Sequence, residues 1–354
     1  MLRRFLERFT LTDLFMWLVG SSIVALIVVG SFATLRAGHY TARHWFDFVV
    51  FGLAQGSVYA LIALGYTLVY GILRMINFAH SEVYMSGAFT GYFVADAMNR
   101  SGFLDQNPLL ALLALFAVAM TTSITVAVLL ERIAYRPLRR SPRLVPLITA
   151  IGASFFLQYT FRGLYGSQNR AYPDVEVLDG AWSLGGEFII QKIQVVVIVA
   201  AAVLMFGLYT FVQRTRTGKA MRAVSEDKDV AALMGIDVDA IIVRTFILGA
   251  ALAGAAGVLY ALMFRQVNFF MGFIPGIKAF TAAVLGGIGN VPGAMAGGMF
   301  LGLLESVGPT LFLDGLNVPS PNQLKDVIAF TMLVLVLVFR PSGILGERIT
   351  TKKA

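Results

Sequence analysis

The chain predicts an all-α protein, a polytopic transmembrane helical bundle of about nine to ten spans with discontinuous, Gly/Pro-interrupted helices, on three observations. Its 354 residues are 58% hydrophobic and 14% charged with a mean hydropathy of +0.77, where an ordinary globular domain carries about 25% charged residues. Apolar runs free of charge recur from one end to the other. No stretch alternates like a barrel strand, so backbone groups in hydrocarbon must be satisfied within helices. Length alone would suit two or three soluble domains of about 150 residues, and this composition excludes them.

A helix crossing about 30 Å of hydrocarbon at about 1.5 Å per residue needs about 20 mostly apolar residues. Runs of this kind extend from Leu14 to Leu35, Phe48 to Leu73, Gln106 to Leu130, Leu144 to Phe161, Ile193 to Gln213, Thr245 to Phe264 and Ala279 to Leu304. Phe78 to Ala97 is weaker because it holds Glu82 and Asp96, and Lys325 to Phe339 is short. Arg3, Arg4 and Arg8 precede the first run, as in a secretory signal or a retained signal-anchor. The run is longer than a signal h-region and is followed by no convincing cleavage pattern, which favours retention. The chain therefore divides into residues 1–45 (stub, extra span and outer loop), 46–346 (the permease-like body, with a cytoplasmic loop at 215–243) and a tail at 347–354.

Orientation follows from Lys and Arg. In a ten-span arrangement, with Ala279 to Asn290 and Gly293 to Leu313 as separate passes, one face holds the three residues before Leu14, Arg74, five from Arg132 to Arg143, six from Arg214 to Arg244 and four from Arg340 to Lys353. These are 19 of the 28 Lys and Arg, so both termini are expected in the cytoplasm. The net charge of +8 thus sits in loops between spans and not on a nucleic-acid-binding surface. With no Cys and three His, the sequence offers no thiolate or His-rich metal site. It contains no phosphate-binding loop, zinc motif or nucleophile elbow, so neither cofactor, metal nor catalytic residue is expected, and uphill transport would need an outside energy source.

Three segments are candidates for function. In Thr215 to Val243, Ser225 is placed as an N-cap, Glu226, Asp227 and Asp229 suit a first turn, and Gly235 suits a stop. The resulting short helix carries Val230, Leu233 and Met234 at helical spacing behind a basic stretch that includes Arg222. It suits a membrane interface and a groove on another protein equally. Gly286, Gly287, Gly289, Gly293, Gly297, Gly298 and Gly302 crowd around Pro292 and Asn290, which reads as close helix packing or as a broken helix with free amides near mid-membrane. Ile76 to Glu82 opens an apolar segment with Asn77, His80 and Glu82. This is either an interfacial helix start or part of a permeation path or gate, because a charge at a helix centre costs about 2.5–3.5 kcal/mol on insertion scales. Lys278, Glu305 and Asp326 are read as lying near span ends, and the acidic, aromatic loop Arg162 to Glu187 as a connector or an extracytoplasmic docking surface.

Together the segments resemble the permease subunit of branched-chain amino acid ATP-binding-cassette importers, from about Phe48 to Gly346. The resemblance is carried by Leu61-Ile62-Ala63-Leu64-Gly65-Tyr66-Thr67-Leu68-Val69-Tyr70-Gly71 with Ile76 to His80, and by Glu131 to Arg139 with Thr149-Ala150-Ile151-Gly152-Ala153-Ser154. Thr217 to Ala223 with Gly235-Ile236-Asp237, Ala282 to Gly293 and Arg340-Pro341-Ser342-Gly343 complete it. It implies that the helix around Ser225 to Gly235 couples to ATP-binding-cassette ATPase subunits through Arg222, Glu226, Asp229, Val230, Leu233, Met234 and Gly235, with Arg132 to Arg143 as a second contact. It further implies a second related permease, an extracytoplasmic substrate-binding protein and a lipid setting in a bacterial or archaeal cytoplasmic membrane. The expected path or gate residues are Asn77, His80, Glu82, Thr149, Ser154, Gly287 and Asn290. Two departures stand out: Ser81 occupies a place where the family usually has Gly, and the span before Trp45 is additional. Urea and short-amide permeases share much of the pattern. An ion-coupled carrier or channel using Glu82 or Asp96, and a non-transporting scaffold, are the readings from other classes.

Overall fold

Hydrocarbon offers no partner to a free N–H or C=O, and helices pair these groups internally. A computed structural model describes residues 11–139, 141–142, 144–340 and 342–346. The charged positions Arg3, Arg4, Arg8, Arg140, Arg143, Arg348, Lys352 and Lys353 used in the orientation argument, and the 347–354 tail, lie outside the described residues. Helices α1 (Leu11–Ala37), α2 (Ala42–Leu73), α3 (His80–Arg100), α4 (Pro108–Leu130), α5 (Leu144–Tyr165) and α6 (Lys192–Arg214) lead to two short helices, α7 (Arg216–Glu226) and α8 (Lys228–Leu233). Then follow α9 (Val238–Phe264), α10 (Phe273–Gly286), α11 (Val291–Gly308) and α12 (Lys325–Phe339). Among the described residues, eight helical segments are long and apolar enough to cross a membrane. The more polar α3 is not among these eight, and α10, with 14 residues, about 21 Å, is too short to cross alone.

The hydrophobic centre is α2, buried along most of its length and surrounded by α6, α9, α10 and α11. Small residues permit this. A Cβ on Gly302 would lie 2.3 Å from Gly56 Cα, so α11 and α2 pack backbone to backbone. Gly293 and Gly297 serve a different surface, closing the α10–α11 hairpin against Gly286 and Ala282. Gly87 packs α3 on Ala119, Ser123 and Gly254. The added span α1 lies against the helical extension Pro309–Leu316, where Thr34 Oγ1 accepts from Gly315 N at 2.8 Å.

On one face, beyond α5 and α9, β1 (Arg170–Ala171) pairs with β4 (Gln266–Val267), and β2 (Ala181–Leu184) pairs with β3 (Phe188–Gln191). Arg265 bridges Asp174 at 2.9 Å and also Asp179 there. On the other face lie α7 and α8.

Two sequence expectations change. Ser225 is not an N-cap: the basic stretch before it is itself helical, and Ser225 falls in the last turn of α7. The cap of α8 is Asp227, whose Oδ1 accepts from Asp229 N at 2.9 Å and Val230 N at 3.0 Å. Lys278 and Glu305 are not at span ends exposed to a boundary. They are 3% exposed and join in one buried cluster, because the α10–α11 hairpin sets them side by side.

Candidate functional site

The stretch Asn77 to Glu82 lies deep in the bundle. Arg74 ends α2 in the left-handed conformation at φ 56°, and the next residues turn back between helices until α3 starts at His80. The depth is fixed by its neighbours. The His80 ring fills the notch left by Gly65, whose Cβ would lie 2.1 Å from Nε2, and packs edge-on against Tyr66 at 4.9 Å. Gly65 in turn meets Gly249, the twelfth of the 27 residues of α9. Glu82 meets Ser154, the eleventh of the 22 residues of α5, whose Oγ donates to Glu82 Oε1 at 3.2 Å. The Ser154 contact falls near the middle of the apolar helix α5, so α3 begins well inside the bundle.

A second helix starts at the same level. After α9 the chain descends through Arg265 to Gly272, and the first turn of α10 abuts α3. A Cβ on Gly272 would lie 2.4 Å from Ser81 O, and one on Gly276 2.3 Å from Ser81 Cβ. Two helix N-termini, each with the positive end of its peptide dipoles, thus converge beside Ser81. Asn77, His80, Ser81 and Glu82 are all buried. Asn77 Oδ1 accepts from Tyr135 OH at 2.6 Å, which anchors the re-entrant turn to the end of α4.

The expected path residues separate into two groups. Asn77, His80, Glu82 and Ser154 come together at mid-depth. Thr149 lies on α5 as well, about 140° round the helix from Ser154, with its hydroxyl turned back to Val145 O at 3.0 Å. Gly287 and Asn290 lie apart from these, in the turn between α10 and α11. There Asn290 caps α11 and donates from Nδ2 to Leu345 O at 2.7 Å, while Ile344 N and Leu345 N donate to Leu285 O and Gly286 O. Gly287 has φ +106°, and its Cβ would lie 2.5 Å from Gly346 N. This turn is closed by the segment 342–346. The break expected in the glycine-rich region exists there, but the breaks at mid-depth are Arg74–Ala79 and Arg265–Gly272. Sequence reasoning passed over Gly272, Gly276 and Tyr135; Gly272 with Pro275-Gly276 inside an apolar stretch was the available signal.

A second buried polar group stands between α2, α10, α11 and α12. Lys278 Nζ lies 2.9 Å from Glu305 Oε1 and 2.7 Å from Asp326 Oδ1. Glu305 Oε2 accepts from Gln55 Nε2 and Tyr59 OH, each at 2.9 Å. The lysine ties the half-length α10 to its neighbours.

On the α7–α8 face, α7 lies back on α6, where Gly218 permits contact with the Val212 carbonyl. Arg222 Nη1 donates to Gln213 Oε1 at 2.7 Å. Glu226 and Asp229 are exposed, and Gly235 turns the chain with φ +80°. Leu233 is 87% exposed and Met234 78%, and Val230 beside them is exposed as well. Arg74 Nη2 donates to Ser225 O at 2.9 Å, joining this layer to the re-entrant turn. Arg136 and Arg139 pair with Asp239 at the start of α9, and Arg139 also pairs with buried Glu131. Burial pushes Lys228 below the ordinary lysine range, and the positive charges of Arg139 and Arg74 add to the effect.

Residues 48–337, from α2 into α12, match the family described as branched-chain amino acid transport system / permease component. The chain is 46% identical over 307 residues to the high-affinity branched-chain amino acid transport system permease protein BraD of Pseudomonas aeruginosa, covering 86% of this chain and 96% of that protein. It is 43% identical over 300 residues to the corresponding permease protein LivH of Escherichia coli, covering 84% and 94%. It is also 29% identical over 157 residues to the probable branched-chain amino acid transport permease protein LivM of Methanocaldococcus jannaschii, covering 40% and 44%. No solved structure matches the chain.

Proposed function

The chain belongs to the branched-chain amino acid transport permease family, and from that premise we propose that it is the membrane-spanning subunit of an ATP-driven importer, carrying branched-chain or other neutral amino acids by alternating access. The energy comes from separate ATP-binding-cassette subunits, since the sequence holds no nucleotide-binding loop. The α7–α8 face is the cytoplasmic one, in line with the Lys and Arg count, and both termini lie on that side of a bacterial or archaeal cytoplasmic membrane. A second, related permease completes the path, a reading in keeping with the likeness to both LivH and LivM proteins. A substrate-binding protein delivers cargo to the strand-bearing face.

The observation that carries the reading is the exposure of Leu233 and Met234 at the tip of α8, outside the helices that cross the membrane. Apolar side chains so placed need a partner, and a groove on an ATPase subunit supplies one. Movement of α8 reaches the interior through two ties. One is Arg74 to Ser225, which pulls on the turn that starts α3. The other is the Arg136–Arg139–Asp239 set, which joins the end of α4 to the start of α9. ATP-driven closure would thereby reorient α3 and α9 around the path.

Leu233→Asp and Met234→Asp are expected to abolish co-purification of the ATPase while the permease stays folded in the membrane. An intact, transport-competent complex from either variant overturns the coupling role. An epitope at residue 354 is expected to react only after the membrane is permeabilised.

A further inference from the structure

Three carboxylates among the described residues are wholly or almost wholly buried: Glu82, Glu131 and Glu305. A carboxyl withdrawn from water either holds a proton or, as a carboxylate, needs a compensating positive group. Glu131 has Arg139 and Glu305 has Lys278. Glu82 has no basic side chain within ion-pair distance among the described residues. Among the described residues its Oε1 accepts from the Ser154 hydroxyl, and its Oε2 has no partner. It is 0% exposed and lies in the first turn of α3, where helix dipoles, and no side-chain cation among the described residues, face its charge.

The side of this carboxylate that faces Ser154 is covered by a helix with little holding it. In contrast to α2 and α9, α5 packs chiefly on α3 and the end of α4. Its outer surface is open: Ile151 and Phe155 are exposed, and a Cβ on Gly152 would meet nothing within 4 Å. A shift of α5 away from α3 removes the Ser154 hydroxyl and uncovers Glu82.

We propose that Glu82 is the buried site for the ammonium group of the cargo, its carboxylate exchanging the Ser154 hydroxyl for a substrate –NH3+ as α5 moves off α3. The cargo supplies the cation that the protein supplies to Glu131 and Glu305. The inference rests on the importer reading above and narrows its substrate class. Solutes with a primary ammonium satisfy the site, whereas urea and neutral amides bring no cation to it.

The test uses the whole complex, this chain with its ATPase subunits, second permease and binding protein, in proteoliposomes with radiolabelled leucine. Glu82→Gln is expected to lower ATP-driven uptake by about tenfold or more, as when a buried charge loses its partner. The complex should still assemble, and Glu82→Asp should restore most uptake. Wild-type uptake with undiminished uptake by Glu82→Gln overturns the proposal and leaves the importer reading standing; absence of ATP-driven leucine uptake by wild type overturns both. Loss of wild-type uptake under a protonophore would make Glu82 a proton site and also overturn the proposal. Should Glu82→Gln fail to assemble, the wild-type complex still decides. An apolar carbodiimide is expected to modify Glu82, located by peptide mass spectrometry, and turnover with leucine to protect it. Labelling unchanged by leucine counts against the ammonium site.

Discussion

Tyr135 donates its hydroxyl to Asn77 Oδ1 at 2.6 Å, and this bond joins the π-helical end of α4 to the turn from which α3 starts. Both residues are buried. Tyr135→Phe therefore leaves the Asn77 amide oxygen without its donor, at a cost of about 1–3 kcal/mol. Thermal unfolding in detergent is expected to show the loss, and Asn77→Ala in the same background should add little, since the pair acts as a unit.

Close approach of α2 and α11 makes a sharper prediction. Gly302→Ala puts a methyl 2.3 Å from Gly56 Cα, a contact only backbone movement can relieve. Folded yield should fall severely. Gly207→Ala in α6, where an added Cβ meets nothing within 4 Å, should lower neither yield nor thermal stability.

Lys278 joins four helices through Glu305 and Asp326. Lys278→Met strands the Glu305 carboxylate in the interior, a change of about 3–5 kcal/mol for a broken buried pair. Lys278→Met combined with Glu305→Leu removes both charges and is expected to recover much of that loss. Melting temperatures of the single and double variants form the check.

Lys228 gives a pH-dependent prediction. Its folded-state pKa lies below the unfolded value because burial and then Arg139 and Arg74 disfavour its charge. Below the folded pKa the charged lysine therefore destabilises the protein, and the penalty lifts as pH rises from the folded to the unfolded pKa. Lys228→Met should raise stability at neutral pH by less than about 1 kcal/mol, because the site is half-exposed and screened by water. The gain should vanish at strongly alkaline pH, as unfolding curves across that range will show.

Hydropathy located most of the helices, since the runs from Phe48 to Leu73 and from Leu144 to Phe161 correspond closely to α2 and α5. The interruption between α10 and α11 was also legible, because Gly286 to Pro292 punctuates the chain locally. The depth of His80 was not. It depends on the notch at Gly65, in the preceding helix, and on Gly249, far off in sequence, packing behind that notch. The α8 cap went to Asp227 and not Ser225, both good capping residues, because the preceding basic stretch was itself helical. Lys278, Glu305 and Asp326 each resembled a boundary residue; only the hairpin and the return of α12 bring them together. Of the expected path residues, the polar cluster at Asn77 to Glu82 was visible as a cluster, but its division from Gly287 and Asn290 emerges only in three dimensions.

The bond between Thr34 and Gly315 spans 281 residues. Gly30 meets the Phe312 carbonyl beside it, and Trp17 packs on Phe339. The seat of α1 is thus built from parts of the polypeptide that leave the ribosome long after α1 itself. Of the described helices α1 is made first, and its contacts at Gly30 and Thr34 can form only once the Pro309–Leu316 extension has been made. Docking of α1 would then be among the last events of assembly, and a chain halted before residue 309 would hold it without a berth.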